Sequence, residues 1–143
     1  MLFKRASRSG PEVVYVVVQN VSGSTITAGY GAAFDTGASV DGVRVSRVGT
    51  DRLQSFAGVA DSDIANSAYG LVQVYGYRSS AVIWSSTGSS ATGDNLTVTA
   101  SQWGLTPAAS AGTSKAFGFL CEAVAASSSS PYQTTAKVFI RAL

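Results

Sequence analysis

The chain has 143 residues, enough for one domain with a core of its own. Charged residues make up 13% of it, against about 25% in an average soluble domain, and hydrophobic residues make up 45%. The net charge of +2 is too small to argue for nucleic acid; with no histidine and a single cysteine, the chain lacks the commonest general base, an intrachain disulfide and a zinc-ligand cluster.

Much of the remaining composition is Ser, Thr and Gly. A surface built from hydroxyls rather than charges is poorly protected against self-association, which suggests that another chain covers part of it; a secreted β domain would share the same composition. No run approaches the ~20 apolar residues of a membrane-spanning helix. The start, Met1-Leu-Phe-Lys-Arg, lacks a signal-peptide apolar region, so the sequence reads as a soluble product of the cytoplasm that uses neither membrane nor cofactor.

Residues 1–12, MLFKRASRSGPE, read as an N-terminal arm punctuated by Gly10-Pro11. Lys4, Arg5 and Arg8 against Glu12 account for the whole net charge, leaving 13–143, the β domain, neutral. The arm is either disordered or extended on a neighbour; Leu2 and Phe3 favour docking, because a free tail has little use for apolar residues. Val13–Gln19 (VVYVVVQ) is apolar on both faces and is expected to be central or covered on both sides. Short strands follow at Thr25–Gly29, Tyr30–Phe34 and Val43–Val48, the last with Val45 on one face and Arg44 and Ser46 on the other.

Phe56–Tyr77 (FAGVADSDIANSAYGLVQVYGY) reads as strand, turn, strand. Phe56–Ala60 holds Gly58. The connection holds Asp61 and Asp63, with Ile64 pointing inward and a single helical turn over 61–66. The second strand, Tyr69 to Tyr77, contains Gly70, Gln73, Tyr75 and Gly76. Val72 and Val74 are expected on one face, Leu71, Gln73 and Tyr75 on the other. Further strands are expected at Ala81–Trp84, Leu96–Thr99, Lys115–Ala123 and Thr135–Leu143, with a mobile tip over Ala125–Tyr132. About nine or ten strands with turns every 8–12 residues and no helical periodicity predict one all-β domain, an antiparallel barrel or sandwich.

The search for chemistry along the chain finds little. Cys121 lies in the apolar run Phe117–Cys121 and reads as a small hydrophobe. Asp61 and Asp63 are the only close carboxylates; with Asn66 they offer fewer oxygens than the six to eight that calcium takes, and they read as caps of turn N–H groups. No glycine run precedes both a helix and a lysine as a phosphate loop requires. Arg44, Arg47 and Arg52, beside Asp41 and Asp51, read as ion pairs on a solvated face or at a subunit contact. An enzyme is therefore not expected.

The segments Asn20–Gly29 (N-x-S-G-x-T-I-x-x-G), Phe56–Ala65 (F-x-G-V-A-x-x-D-I-A) and Tyr69–Gly76 (Y-G-L-V-Q-V-Y-G), the step Gly93–Leu96, and the closing strands Phe117–Ala123 and Lys137–Ala142 resemble the decoration, or cement, proteins of tailed-phage capsids. On this resemblance Phe56, Gly58, Asp61, Ile64, Tyr69, Gly70, Gln73, Tyr75 and Gly76 are structural positions. The resemblance implies a homotrimer on the outer surface of the virion. It would hold neighbouring major capsid subunits together, with no nucleic-acid or membrane partner. Leu2, Phe3, Lys4, Arg5, Arg8, Arg44 and Arg47 are then the candidate contacts to capsid or neighbour, from the placement of charge. The competing class is a virion or tail β domain that binds surface glycans, in which Trp103 and Tyr132 would stack on sugars; for Trp103 a hydrophobic plug at a barrel end is the plainer role.

Overall fold

The computed structural model describes residues 2–4, 12–37, 41–48, 53–85, 88–108, 115–127 and 132–142. Its elements in order are β1 (Leu2–Lys4), β2 (Val13–Asn20), β3 (Gly31–Phe34), β4 (Arg44–Ser46), a 3-10 turn (Leu53–Ser55), β5 (Phe56–Ala60), β6 (Tyr69–Ser85), β7 (Asn95–Val98), β8 (Leu105–Pro107), β9 (Gly118–Leu120) and β10 (Tyr132–Arg141). The protein is all-β, as the turn spacing predicts.

The described strands form one sheet that closes on itself twice. One ring runs β2-β4-β3-β5-β6 and returns to β2; the other runs β6-β10-β9-β7-β8 and returns to β6. Strand β6 therefore belongs to both. The sheet is mixed rather than antiparallel throughout, because β2 pairs with β4, and β6 with β8, in parallel.

Two details let a single 17-residue strand wall both rings. In its ladder with β2, Val14 pairs with Tyr75 but Tyr15 with Gln73. In its ladder with β10, Val138 pairs with Arg78 but Ala136 with Ala81. Both offsets place the extra residue on β6, and an extra residue bends a strand and increases its twist. Gly76, between them, has φ +103°, and a Cβ there would lie 2.2 Å from the Glu12 carbonyl oxygen. The sequence reading breaks this strand after Tyr77 because Gly76 and the polar Arg78-Ser79-Ser80 look like a turn; they are instead the bent middle of one element.

Each ring has its own core. Val14, Val18, Ile26, Ala32, Val45, Ala57, Ala60, Ile64, Val72 and Val74 fill the first. The second is larger in its side chains, including Phe56, Ile83, Leu96, Leu105, Phe117, Leu120, Val138 and Ile140. β5 serves both: all five of its residues are buried, with Ala57 and Ala60 in the first core and Phe56 and Val59 in the second. Val72 and Val74 face the first core as expected.

Other elements follow the sequence reading only in part. β2 is central, as one of the two expectations has it, with partners on both edges; its second face is only half-buried, and Val17 on it is 49% exposed. Thr25–Gly29 contributes a lone bridge, Ile26 to Ile64, and this bridge replaces the helical turn expected over 61–66. β8 ends on Pro107, a residue that argues against a strand. Residues 128–131, the middle of the expected mobile tip, lie outside the described residues.

Candidate functional site

Asp61 and Gln73 belong to a polar knot that is buried at Gln73 and open to solvent at Asp61. The Gln73 side chain is 2% exposed, and its amide nitrogen donates to the carbonyls of Tyr75, Gly76 and Tyr77 at 3.3, 3.0 and 3.1 Å. One side chain thus satisfies the backbone of the bend. Arg78 completes the knot: its Nη2 donates to the Ala60 carbonyl at 2.8 Å and its Nε to the Ser80 carbonyl at 2.8 Å. Its Nη1 lies 3.2 Å from Asp61 Oδ1 and 3.4 Å from Gln73 Oε1. Burial pushes the adjacent Tyr15 phenol above its ordinary pKa, and the nearby Asp61 carboxylate adds to the shift. A shallow cleft of about 280 Å³ opens here between Tyr15 and Tyr77. Its polar groups hold β5 to β6 across the bend. The buried, satisfied part of such a network fixes one arrangement of a fold.

Asp61 is thus an ion-pair partner rather than a turn cap. Asp63 does cap, with its Oδ1 accepting the Ala28 N–H at 2.8 Å. Asn66 Oδ1 accepts the Gly23 N–H at 3.0 Å. Asn20, buried completely, ties the same loops together: its amide donates to the carbonyls of Ser24 and Ile64, each at 2.7 Å, and its Oδ1 accepts the Ser22 N–H at 2.9 Å. Gly58 and Gly70 are required by close approach, since a Cβ would meet the Gln73 carbonyl oxygen at 2.3 Å and the Ile64 side chain at 2.5 Å respectively.

The outer face of β2 and β6 carries the large exposed apolar side chains. Val17 is 49% exposed, Tyr69 66%, and Tyr75 and Tyr77 37% each. Val17 pairs with Leu71 and Gln19 with Tyr69, which places them on one face. The second ring carries its own aromatic group: Tyr75 meets Phe139 edge-on at 5.2 Å, Phe139 stacks on Phe119 at 5.2 Å, and Tyr77 pairs across from Phe139. Among the described residues, both rings thus expose large apolar side chains.

The basic candidates do not gather into one patch. Leu2–Lys4 form β1, with Lys4 paired to Val13 of the same chain, while Arg44 pairs with Gln19 at the opposite end of β2, about 20 Å along the strand. Arg5, Arg8 and Arg52 lie outside the described residues. Arg44 Nε lies 3.5 Å from Asp41 Oδ2. Backbone N–H groups of Val43 and Arg44, bonded to Asp41, hold that carboxyl below its ordinary pKa. Arg47 points elsewhere, with its guanidinium 5.9 Å from the Trp103 ring centre.

Trp103 is half-buried, packs at the edge of the first core and stacks with Tyr30 at 5.8 Å. It also walls a second cleft with Arg47 and four serines. Tyr132 is held down: its hydroxyl donates to the Ala125 carbonyl and its ring packs against the second core. Cys121 is a half-buried free thiol just after β9, not within a strand; burial and then the Glu122 charge push its pKa up. Arg78 is the residue that sequence reasoning missed. A lone arginine between Tyr77 and two serines reads as exposed, and only the return of Asp61 from an earlier loop shows its role.

The arrangement defines an all-β structural domain of two fused rings. The crystal structure of the N base of head fiber gp8.5 from bacteriophage phi29 is similar to it, with a TM-score of 0.52, 18% identity, and coverage of 91% of this chain and 95% of that one. At that identity the likeness is one of fold. No family model and no curated protein matches the sequence.

Proposed function

We propose that this chain is a structural protein of a phage virion, a decoration protein that docks on the outside of an icosahedral head where major capsid subunits meet. The observation that carries the reading is the set of large apolar side chains exposed on β2 and β6, Val17, Tyr69, Tyr75 and Tyr77, with Phe139 and Phe119 packed beside Tyr75. Monomeric domains rarely leave such a set uncovered, and an exposed apolar surface rimmed by polar residues marks a contact with another chain. The fold shared with a head fiber's base supports a place on the head, and the polar knot serves rigidity rather than turnover. A closed homotrimer on the head would cover some of these side chains and multiply weak contacts to the shell.

The test is to add purified protein to expanded heads that lack it and to sediment the mixture. Saturable binding at a fixed ratio to capsid subunits, with a raised temperature of head disruption, is the expected result. Heads that sediment without the protein would refute the proposal; binding without stabilisation would leave a decoration protein that is not a cement.

A further inference from the structure

The second cleft is built from three separate parts of the chain. Ser22 and Ser24 come from the loop after β2, Ser46, Arg47 and Val48 from β4 and its end, and Ser101 and Trp103 from the loop before β8; together they enclose about 320 Å³. That is within the size of small-ligand pockets. The described lining holds four serines, one cation, one indole and no carboxylate.

The parts are held in place by backbone bonds and by two of the lining hydroxyls, those of Ser22 and Ser46. The Ser101 N–H donates to the Val48 carbonyl at 2.8 Å, which pins the loop before β8 to the end of β4. Ser101 itself has φ +62°, one of only two non-glycine residues with positive φ among those described. A serine held there is a local cost that a glycine would avoid, and such residues gather where a side chain has work to do. Trp103 is steadied by Tyr30, and Arg47 lies over its ring, so the guanidinium is oriented by an aromatic surface. The side chains of Ser22 and Ser46 donate to the carbonyls of Ser24 and Arg47, so their hydroxyl oxygens keep acceptor capacity. Ser24, Ser101 and Arg47 are exposed at the mouth.

We infer that this cleft binds an acidic saccharide. A planar guanidinium matches a carboxylate with two parallel hydrogen bonds. The Ser24 and Ser101 hydroxyls can both donate and accept, and that of Ser46 can accept, which suits the hydroxyls of a sugar ring, while the indole edge suits its C–H surface. The inference is independent of the docking proposal: the cleft is built of other segments than those that carry the exposed apolar side chains.

The experiment uses the purified full chain and three probes at matched ionic strength: trigalacturonate, the uncharged galactotriose, and inorganic sulfate. The readout is the indole N–H resonance of Trp103, assigned with Trp103→Phe. Trigalacturonate should shift it saturably and bind tighter than either other probe. Arg47→Gln should weaken that binding about tenfold or more, the loss expected for a charge-assisted hydrogen bond. Ser101→Gly, which suits the positive φ and deletes the hydroxyl, should weaken it about threefold at a melting temperature no lower than that of the native chain. Equal binding of galactotriose would overturn the role of the cation, and equal binding of sulfate would overturn the saccharide. No shift with any probe, or binding indifferent to Arg47→Gln, would overturn the site.

Discussion

The two rings are closed in different ways. The first is shut by a long ladder, Val14–Gln19 of β2 against Tyr69–Tyr75 of β6, around a core of Val, Ala and Ile. The second has the longest ladder, Tyr132–Arg141 of β10 against β6, but it is shut against β8 by one register pair, Ile83 with Leu105, and its far wall is built of the three- and four-residue strands β7, β8 and β9. Its core adds Phe and Leu side chains to Val, Ala and Ile, and these larger side chains compensate for the short ladders of that far wall. β5 and β6 are common to both, so damage there should reach both cores, while damage elsewhere should stay on one side.

The largest effect is expected at the shared bend. Gly76→Ala combines positive φ with a backbone clash and should cost about 3 kcal/mol or more, unfolding both rings together. Gly88→Ala is the control. It too has positive φ, but nothing lies within 4 Å of its Cβ, so about 1 kcal/mol is expected. Equal losses in a urea titration would show that the clash with Glu12 is not what matters.

Leu105→Ala removes a 1%-exposed side chain from the one pair that closes the second ring and should cost about 2–4 kcal/mol. Amide exchange should then quicken in β7 and β8 while β2 stays protected; equal loss in β2 would mean that the rings do not open separately. Asn20→Ala removes three hydrogen bonds of a buried side chain that tie the loops of the first ring, to the Ser24 and Ile64 carbonyls and from the Ser22 N–H, and should cost about 2 kcal/mol, with exchange quickening at Ile26 and Ile64 instead.

The smallest effect is a surface one on the second ring. Lys137 lowers the Glu122 carboxyl below its ordinary 4.5, through its backbone N–H first and its side chain second. A lowered carboxylate pKa stabilises the fold above the ordinary value, and that contribution is lost as the pH falls through the folded value. The small advantage in melting temperature of the native chain over Glu122→Gln at pH 7 should therefore fade below pH 4.5.

The first ring was the more legible of the two from sequence. The inward Val45, Val72, Val74 and Ile64 follow from period-two burial, which Gln73, buried between Val72 and Val74 beside the bulge, breaks. The second ring was harder, because its strands are too short to show a period and β8 carries a proline. Parallel pairings leave no local signal, since their partners are far apart in the chain. The polar knot was half visible: Asp61 and Gln73 stood out as structural positions, but Arg78 acquires its meaning only from the bend that brings it back to Ala60 and Asp61. The serine cleft was less visible still, because Ser22, Arg47 and Trp103 have no sequence relation to one another.

The central claim is that the exposed apolar side chains of β2 and β6 dock on a phage head. Val17→Ser with Tyr69→Ser tests it most directly, because both side chains are largely exposed and neither belongs to a core cluster, so folding should be little changed. Occupancy on expanded heads, measured by sedimentation and gel densitometry at equal protein concentration, should fall several-fold at an unaltered melting temperature. Occupancy equal to that of the native chain would contradict the account.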